Sequence, residues 1–291
     1  MINIRTMAEN DLGSVASFIA KLNRCAASHI GYCDTDKQSI MHYFETELDI
    51  PYTDCFVLAM KEDTLIGVAG FDADLENKVA EIWGPFIMAG HWGIRLSMWD
   101  KMMELLPHEI KELMMFPNEK NEHVQQLATE RQFNKISKEA ILVYSRKSKR
   151  KSLHPSITAL SEQYFSEFQQ LHNKTFPKAY YHGQQILNRM NDHRKVFIMT
   201  HPTQALLGYI YMEVEPEFGD ASIEFFAVKE TERGKGIGGK MIEAGLDWIF
   251  SFHEIASVNL CVNAKNENAI RLYKKVGFKQ MHALCAYTKK I

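Results

Sequence analysis

The sequence is poor in the residues that build disulfide frameworks and metal sites. Its five cysteines are scattered over 291 residues, odd in number, and none belongs to a CxxC pair. This spacing argues against a disulfide framework and against a zinc site. The twelve histidines include no HxxxH pair. We therefore predict reduced thiols and no metal.

An excess of one charge and long apolar runs are also missing. The formal net charge is −2 and the isoelectric point is near 6.6, so nothing draws the chain as a whole to nucleic acid or to an anionic membrane. The nearly uncharged stretch Ile82–Ile94 is too short and too rich in glycine and proline to span a bilayer. No charged-then-apolar leader opens the chain. We expect a globular, cytoplasmic protein without a nucleic-acid or membrane partner.

A polar, basic run at Ser145–Ser152 marks a boundary. It separates the strand-like segment Ala140–Tyr144 from the segment Pro155–Leu160, where a second domain is predicted to begin. We interpret the run as a linker, with a polyanion-binding patch or an import signal as the alternative. The predicted domains are residues 1–147 and 153–291, each long enough for its own core.

A glycine-rich turn carries the clearest chemical signal. It reads Arg233-Gly234-Lys235-Gly236-Ile237-Gly238-Gly239, after a predicted strand Ala221–Val228 and before an amphipathic helix of about Gly238–Phe252. Unpaired N–H groups at such a helix start favour phosphates. A nucleoside-triphosphate loop fits poorly, because Met241 follows Lys240 where such a loop has the Ser or Thr that binds Mg²⁺. A dinucleotide-binding fold fits worse, because polar residues 229–232 separate the strand from the glycines.

A second motif follows about thirty residues later. It reads Asn266-x-x-Ala269-x-x-Leu272-Tyr273-x-x-x-Gly277-Phe278. On a predicted helix at Glu267–Val276, spacings of three, four and seven residues put Asn266 and Tyr273 on one face. A tyrosine stays protonated at neutral pH and is therefore a suitable proton donor to a leaving thiolate. The alternative is a core tyrosine packed beneath the last strand.

Together the two motifs resemble those of the GNAT N-acetyltransferases, through Arg233-x-x-Gly236-x-Gly238 and the later asparagine and tyrosine. The resemblance is strong over Ile223–Phe278. It implies that the turn wraps the pyrophosphate of acetyl-coenzyme A (acetyl-CoA), and that Asn266 and Tyr273 face the pantetheine arm and the sulfur. It also implies a bulge that frees backbone N–H groups near Ala227 and Val228 for the thioester carbonyl. The implied cofactor-binding residues are Phe226, Ala227, Val228, Arg233, Gly234, Lys235, Gly236, Ile237, Gly238, Gly239, Asn266, Ala269 and Tyr273.

The acceptor side is defined less sharply. Glu224 lies on the strand that enters the turn, where alternation predicts the same face as Phe226 and Val228. The resemblance implies a base at this strand, acting directly or through water; an edge carboxylate paired with a neighbour is the alternative. Aromatic Phe176, Tyr180 and Tyr181 are predicted to line the acceptor cleft or to pack on the partner domain. An acidic cluster at Glu213, Glu215, Glu217 and Asp220 is interpreted as a solvated hairpin rather than an attractor for a cationic amine.

The later motif has an earlier copy. Asn121-x-x-Val124-x-x-Leu127-Ala128-x-x-x-Gln132-Phe133 stands 145 residues upstream, which indicates a tandem repeat. In that copy Arg95 stands where the cradle has Gly238, Ala128 replaces Tyr273 and Gln132 replaces Gly277. The predicted fold class is therefore α/β: two tandem GNAT-like domains, each a mixed, largely antiparallel twisted sheet flanked by helices, with a degenerate N-terminal copy.

These observations predict an acetyl-CoA-dependent N-acetyltransferase. Its C-terminal domain would transfer acetyl to a primary amine of a small molecule or peptide by direct attack in a ternary complex, with Tyr273 and Glu224 as catalytic residues. The alternative is a non-catalytic acyl-CoA-binding sensor or interaction module. Retention of both catalytic residues favours the enzyme.

Overall fold

The computed structural model describes residues 2–146, 156–177, 179–203 and 205–291, and divides the chain into two units. Unit 1 comprises Met1–Glu139 with His282–Ile291, and unit 2 comprises Ala140–Met281. The linker predicted at Ser145–Ser152 falls almost entirely outside the described residues.

The first half of the sequence alternates short strands with amphipathic helices. In chain order its elements are β1 (Ile2–Thr6), α1 (Leu12–Asn23), α2 (Lys37–Thr46), α3 (Tyr52–Cys55), β2 (Phe56–Lys61), β3 (Thr64–Asp74), β4 (Val79–Ile87), α4 (Arg95–Met103), β5 (Glu112–Met115), α5 (Glu122–Glu130) and β6 (Asn134–Ser145).

The second half repeats this order, except that the short helix α3 has no counterpart. Its elements are β7 (Ile157–Ala159), α6 (Phe165–Thr175), α7 (Gly183–Arg189), β8 (Arg194–Thr200), β9 (Leu206–Glu215), β10 (Asp220–Val228), α8 (Ile237–Ile249), β11 (Ser257–Asn263), α9 (Glu267–Val276) and β12 (Lys279–Lys290).

Each unit completes its sheet with the last strand of the other half of the sequence. The strand order is β1-β2-β3-β4-β5-β12 in unit 1 and β6-β11-β10-β9-β8-β7 in unit 2. In unit 1, Tyr287–Lys290 of β12 pair antiparallel with Met115–Glu112 of β5. The units therefore differ from the contiguous ranges 1–147 and 153–291, because two strands that end their halves are exchanged. The mixed α/β fold class predicted from the sequence is confirmed.

Unit 2 buries apolar side chains on both faces of its sheet. The inward stripe of α8 is buried, and Gly245 lets the helix approach β9, since a Cβ there would lie 2.5 Å from the Met212 sulfur. On the opposite face, Phe168 of α6 and Ile186 of α7 are fully buried. With both faces covered, the sheet is held as a rigid frame for its loops and helix ends.

Two helix ends show that the repeat is structural. The Asn121 side chain accepts a hydrogen bond from Val124 N at the start of α5, and Asn266 accepts one from Ala269 N at the start of α9, both at 3.2 Å. The helices also end alike, with Phe133 N donating to Ala128 O at 2.8 Å and Phe278 N to Tyr273 O at 3.0 Å. These are matching caps at an identical spacing.

Candidate functional site

Among the described residues, strands β10 and β11 of unit 2 pair at one register position, and we call the stretch beyond it, where no ladder pairing joins them, the opening. They pair in parallel at Ser222 and Asn259, and the register between β10 and β9 shifts between Ile223 and Phe225. This is a bulge at Glu224, on the strand for which the family resemblance implies one, but three residues before Ala227. Lys229 N donates to Leu207 O of β9 at 2.8 Å, so alternation turns the N–H groups of Phe226 and Val228 away from β9, toward the opening.

The glycine turn forms an open backbone loop at the start of α8. Gly234 and Gly236 adopt φ values of 79° and 78°, which a residue with a Cβ adopts only with strain. A Cβ built on Gly234, Gly236 or Gly239 meets no atom within 4 Å. Gly236 is the N-cap and offers no side chain to the first N–H groups of the helix. The turn therefore presents backbone donors to an anion.

The charged residues of the turn have protein partners. Arg233 Nε donates to Val228 O at 3.2 Å, which ties the turn to the end of β10. Lys235 forms an ion pair with Glu232 at 3.0 Å. Gly238 differs from its neighbours because a Cβ there would lie 2.8 Å from Leu272 Cδ2, so it serves the packing of α8 on α9. Arg233 and Lys235 are exposed but already have protein partners, so the backbone of the turn supplies the donors that we assign to the cradle.

Tyr273 lies under the opening. Its ring is buried between Phe226 and Phe278, with centroid distances of 6.4 and 5.6 Å. Burial raises the pKa of Tyr273, so the phenol is protonated at neutral pH. No described residue forms a hydrogen bond with its hydroxyl. The Asn266 side chain caps α9 through its oxygen, and its contact with the cofactor stays a prediction.

Glu224 lies on the side of β10 opposite to the one predicted. Its carboxylate accepts hydrogen bonds from the hydroxyls of Tyr180 and Ser222. The Tyr180 ring packs on Phe225 at 5.1 Å, whereas Phe226 packs on Tyr273. The bulge explains the difference, because one extra residue reverses which side chains share a face. The structure thus brings together Glu224 and Tyr180, two residues that the sequence singled out separately.

A buried histidine holds the aromatic loop over β10. His172 Nε2 donates to Tyr181 O at 2.8 Å, and its Nδ1 accepts from the Tyr209 hydroxyl at 2.6 Å. Burial lowers the pKa of His172, which keeps the ring neutral. Phe176 packs on Phe225 at 5.3 Å. Sequence reasoning missed His172 and Tyr209, since neither belongs to a recognisable motif.

Tyr181, the third aromatic residue predicted to line the acceptor cleft, packs against an arginine. Arg189 lies 4.2 Å from the centroid of the Tyr181 ring, and its guanidinium also donates to both carboxylate oxygens of Glu213 at 3.1 Å. Arg194 Nε donates to the same carboxylate at 3.1 Å. Together these contacts anchor the loop that carries Tyr181 to Glu213 of β9.

A pocket of about 180 Å³ opens beside Glu224 on this face. We call it the carboxylate pocket; it is lined by Glu213, Glu215, Asp220, Ala221, Ser222 and Glu224. Three members of the acidic cluster that the sequence analysis interpreted as a solvated hairpin, Glu213, Glu215 and Asp220, thus line a concave surface that ends at the predicted base.

The corresponding turn of unit 1 lacks an open cradle. Ile94 N donates to His91 O at 3.1 Å, so this helix start is already occupied by its own backbone. Arg95 forms two hydrogen bonds with Glu130, at 2.8 and 3.1 Å. The Trp92 ring stacks on His123 at 4.4 Å. These contacts favour a degenerate first copy.

Two further observations concern the described part of the chain. Among those residues, no three His, Cys, Asp or Glu side chains are arranged to hold a metal ion. Within the same ranges, no helix combines the length and apolar character needed to cross a bilayer.

Comparisons with known proteins place the second half of the sequence. The family model "Acetyltransferase (GNAT) family" matches residues 165–278. A mycothiol acetyltransferase of Rhodococcus jostii is 30% identical over 90 residues, which is 30% of this chain and 29% of that protein. The match therefore spans under a third of the length of that relative.

Solved structures match the fold over the whole chain. A GCN5-related N-acetyltransferase from Sphaerobacter thermophilus has a TM-score of 0.73 at 15% identity, covering 99% of this chain and 95% of that one. A tandem GNAT protein from the clavulanic acid biosynthesis pathway has a TM-score of 0.64 at 13% identity, covering 100% and 98%. At these identities the likeness concerns the fold alone.

Proposed function

We propose that unit 2, which contains the residues 165–278 matched by the GNAT family model, transfers an acetyl group from acetyl-CoA to a primary amine. One observation carries this proposal. The open glycine loop follows β10, the N–H groups of Phe226 and Val228 point away from β9, and Tyr273 packs on Phe226 with a hydroxyl that no described residue binds.

Each part of the opening suits a different part of acetyl-CoA. The N–H groups at the start of α8, from Ile237 to Gly239, would hold the pyrophosphate. The N–H groups of Phe226 and Val228 would hold the pantetheine amide and the thioester oxygen, where negative charge develops during acyl transfer. This differs by one residue from the N–H groups near Ala227 and Val228 that the resemblance implies.

The reaction needs two proton transfers in opposite directions. The neutral amine attacks the thioester carbonyl carbon, a C–N bond forms and the C–S bond breaks. The amine proton passes to Glu224, directly or through water, and the departing thiolate takes the proton of Tyr273. The Tyr180 and Ser222 hydroxyls orient the Glu224 carboxylate. Both catalytic assignments are proposals.

Unit 1 would support unit 2 without catalysing the reaction. Its turn is closed by Arg95 and by the Ile94–His91 backbone bond, and Ala128 supplies no hydroxyl at the position of Tyr273. Arg95 stands at the position of Gly238, the glycine that lets α8 pack closely on α9 in unit 2. We therefore propose one acetyl-CoA site per chain.

Two measurements test the proposal. Thiol release from acetyl-CoA is followed across a panel of primary amines, and acetyl-CoA binding is followed by calorimetry. We expect amine-dependent thiol release and a stoichiometry of one. Binding without thiol release for any amine would instead support the acyl-CoA sensor, and two comparable binding sites would contradict the degenerate assignment of unit 1.

A further inference from the structure

We propose that the buried His172 is a positioning residue for acetyl transfer, because it fixes the loop whose Tyr180 hydroxyl holds the Glu224 carboxylate. That loop, the aromatic loop, comprises residues 176–182 between α6 and α7. This inference rests on the proposed function, because Glu224 is the proposed base of the same site. It assigns a role to a residue that acts through its neighbours rather than on the acceptor.

Tyr180 is the part of the aromatic loop that reaches the proposed base. Its hydroxyl donates to Glu224, and its ring packs on Phe225 at 5.1 Å and on Tyr181 at 4.7 Å. The residue is nevertheless 62% exposed. Because so exposed a side chain gains little from burial, the position of its hydroxyl depends on how the backbone of the loop is held.

His172 links that backbone to the sheet. It is fully buried on α6, with Nε2 at 2.8 Å from Tyr181 O and Nδ1 at 2.6 Å from the Tyr209 hydroxyl. A backbone carbonyl can only accept, so Nε2 carries the proton and Nδ1 accepts from Tyr209. One neutral ring thus joins β9 to the residue that follows Tyr180.

The link is attached to the strand pair that carries the base. Tyr209 of β9 pairs with Ala227 of β10, three residues after Glu224. The edge of the His172 ring also packs on Phe225, the residue next to Glu224, at 4.8 Å. Burying an imidazole is costly unless both nitrogens are paired, and a fully paired buried link makes its surroundings rigid. The loop is therefore fixed relative to the strand on which Glu224 lies.

The test removes the link in steps. His172→Phe keeps a ring against Phe225 and removes both hydrogen bonds, Tyr209→Phe removes one hydroxyl, and His172→Gln keeps an N–H donor at about the reach of Nε2. Thiol release is measured with the panel amine that has the highest kcat/KM. A shift of about 1 Å in a catalytic group can cost about 10²-fold, so His172→Phe should lower kcat/KM for the amine about 10–100-fold. The other two variants should lose less, and KM for acetyl-CoA should stay within about threefold in all three.

A double-mutant cycle separates positioning from a general loss of stability. Tyr180→Phe removes the hydroxyl that binds Glu224 and keeps the ring. In the Tyr180→Phe background, His172→Phe should cost about threefold or less, because the hydroxyl through which it acts is already absent. Ile186→Val is the control for a loosened core, since Ile186 is fully buried on α7 in the same apolar cluster. It should leave kcat/KM for the amine unchanged.

Amide hydrogen exchange follows the loop without turnover. Ala179 N donates to Phe176 O at 3.2 Å, and Gly183 N donates to the Asn173 side-chain oxygen at 2.9 Å. His172→Phe should speed exchange at these two amides about tenfold, because local opening becomes easier when the anchor is lost. Ile186→Val should not.

The outcomes separate the two proposals. Unchanged kcat/KM in His172→Phe, an equal loss in Ile186→Val, or the same loss in both backgrounds of the cycle would overturn the positioning role and leave acetyl transfer intact. If the wild type releases thiol with none of the amines, acetyl transfer is refuted. Faster exchange in His172→Phe would then retain the assignment of the link, and unchanged exchange would refute both.

Discussion

Comparing Gly236→Ala with Gly90→Ala should distinguish two effects of a glycine substitution: the loss of stability from backbone strain and the loss of affinity for acetyl-CoA. Gly236 has a φ of 78° and open space where a Cβ would lie. Gly90, in the turn of unit 1, has a φ of 83° and equally open surroundings. An alanine in this region costs about 1–2 kcal/mol, partly offset by about 0.4–1 kcal/mol from the less flexible unfolded chain. We expect either variant to lose about 1 kcal/mol of stability.

Only the Gly236 variant should lose affinity for acetyl-CoA. Its Cβ would keep phosphate oxygens from the N–H groups at the start of α8. Losing two hydrogen bonds to a charged group, each worth about 1.5–3 kcal/mol, amounts to about 10²–10⁴-fold in Kd. Urea unfolding measures the stability and calorimetry measures the affinity. Unchanged affinity in Gly236→Ala would refute the cradle assignment, and an equal loss in Gly90→Ala would refute the single-site assignment.

Three other substitutions test separate parts of the molecule. Tyr273→Phe should lower kcat about 10²–10⁴-fold while KM for acetyl-CoA stays within about threefold, since the ring still packs; a similar kcat would make Tyr273 a packing residue. Glu224→Gln should lower activity most at low pH, where more of the amine is protonated, and a pH–rate profile parallel to the wild type would remove Glu224 from the mechanism. Burial lowers the pKa of His29 from 6.5 to about 4 in the folded state. As the pH falls from 6.5 to 4, the unfolded chain therefore takes up a proton on His29 that the folded chain does not, and the free energy of unfolding of unit 1 falls by roughly 3 kcal/mol. His29→Phe should flatten this dependence in urea unfolding; an unchanged slope would assign the acid sensitivity to other groups.

Local signals explain which elements could be predicted from the sequence. The predicted helix at Glu267–Val276 has the observed bounds, because Asn266 and Gly277 mark its ends by their own chemistry. Helix α2 was not predicted, although Asp36 caps it, because only Ile40 and Phe44 are buried and the apolar period is weak. Strand pairing could not be predicted from such local signals, because β12 pairs with β5 through hydrogen bonds between residues far apart in the sequence. No local pattern distinguishes this partner from a strand of its own half.

The same contrast holds for the site. The cradle follows from glycines that are adjacent in sequence, and their conformations can be inferred from the motif. The contact between Tyr180 and Glu224 joins residues far apart in the chain, and the bulge at Glu224 reverses the face that simple alternation predicts. His172 reaches Tyr209 only after α6 has packed on the sheet. Such contacts depend on the tertiary fold rather than on spacing.

The exchanged strands set an order of events during protein synthesis. β5 leaves the ribosome early, yet its partner β12 is synthesised on the order of 10–30 s later at ordinary elongation rates. Until then the hydrogen-bonding edge of β5 has no intramolecular strand to cover it, which is the kind of edge that chaperones bind and that mispairs with other chains. Unit 1 is thus the first to be made and the last to close, and a stop codon before His282 would leave its sheet open while sparing the residues proposed for catalysis.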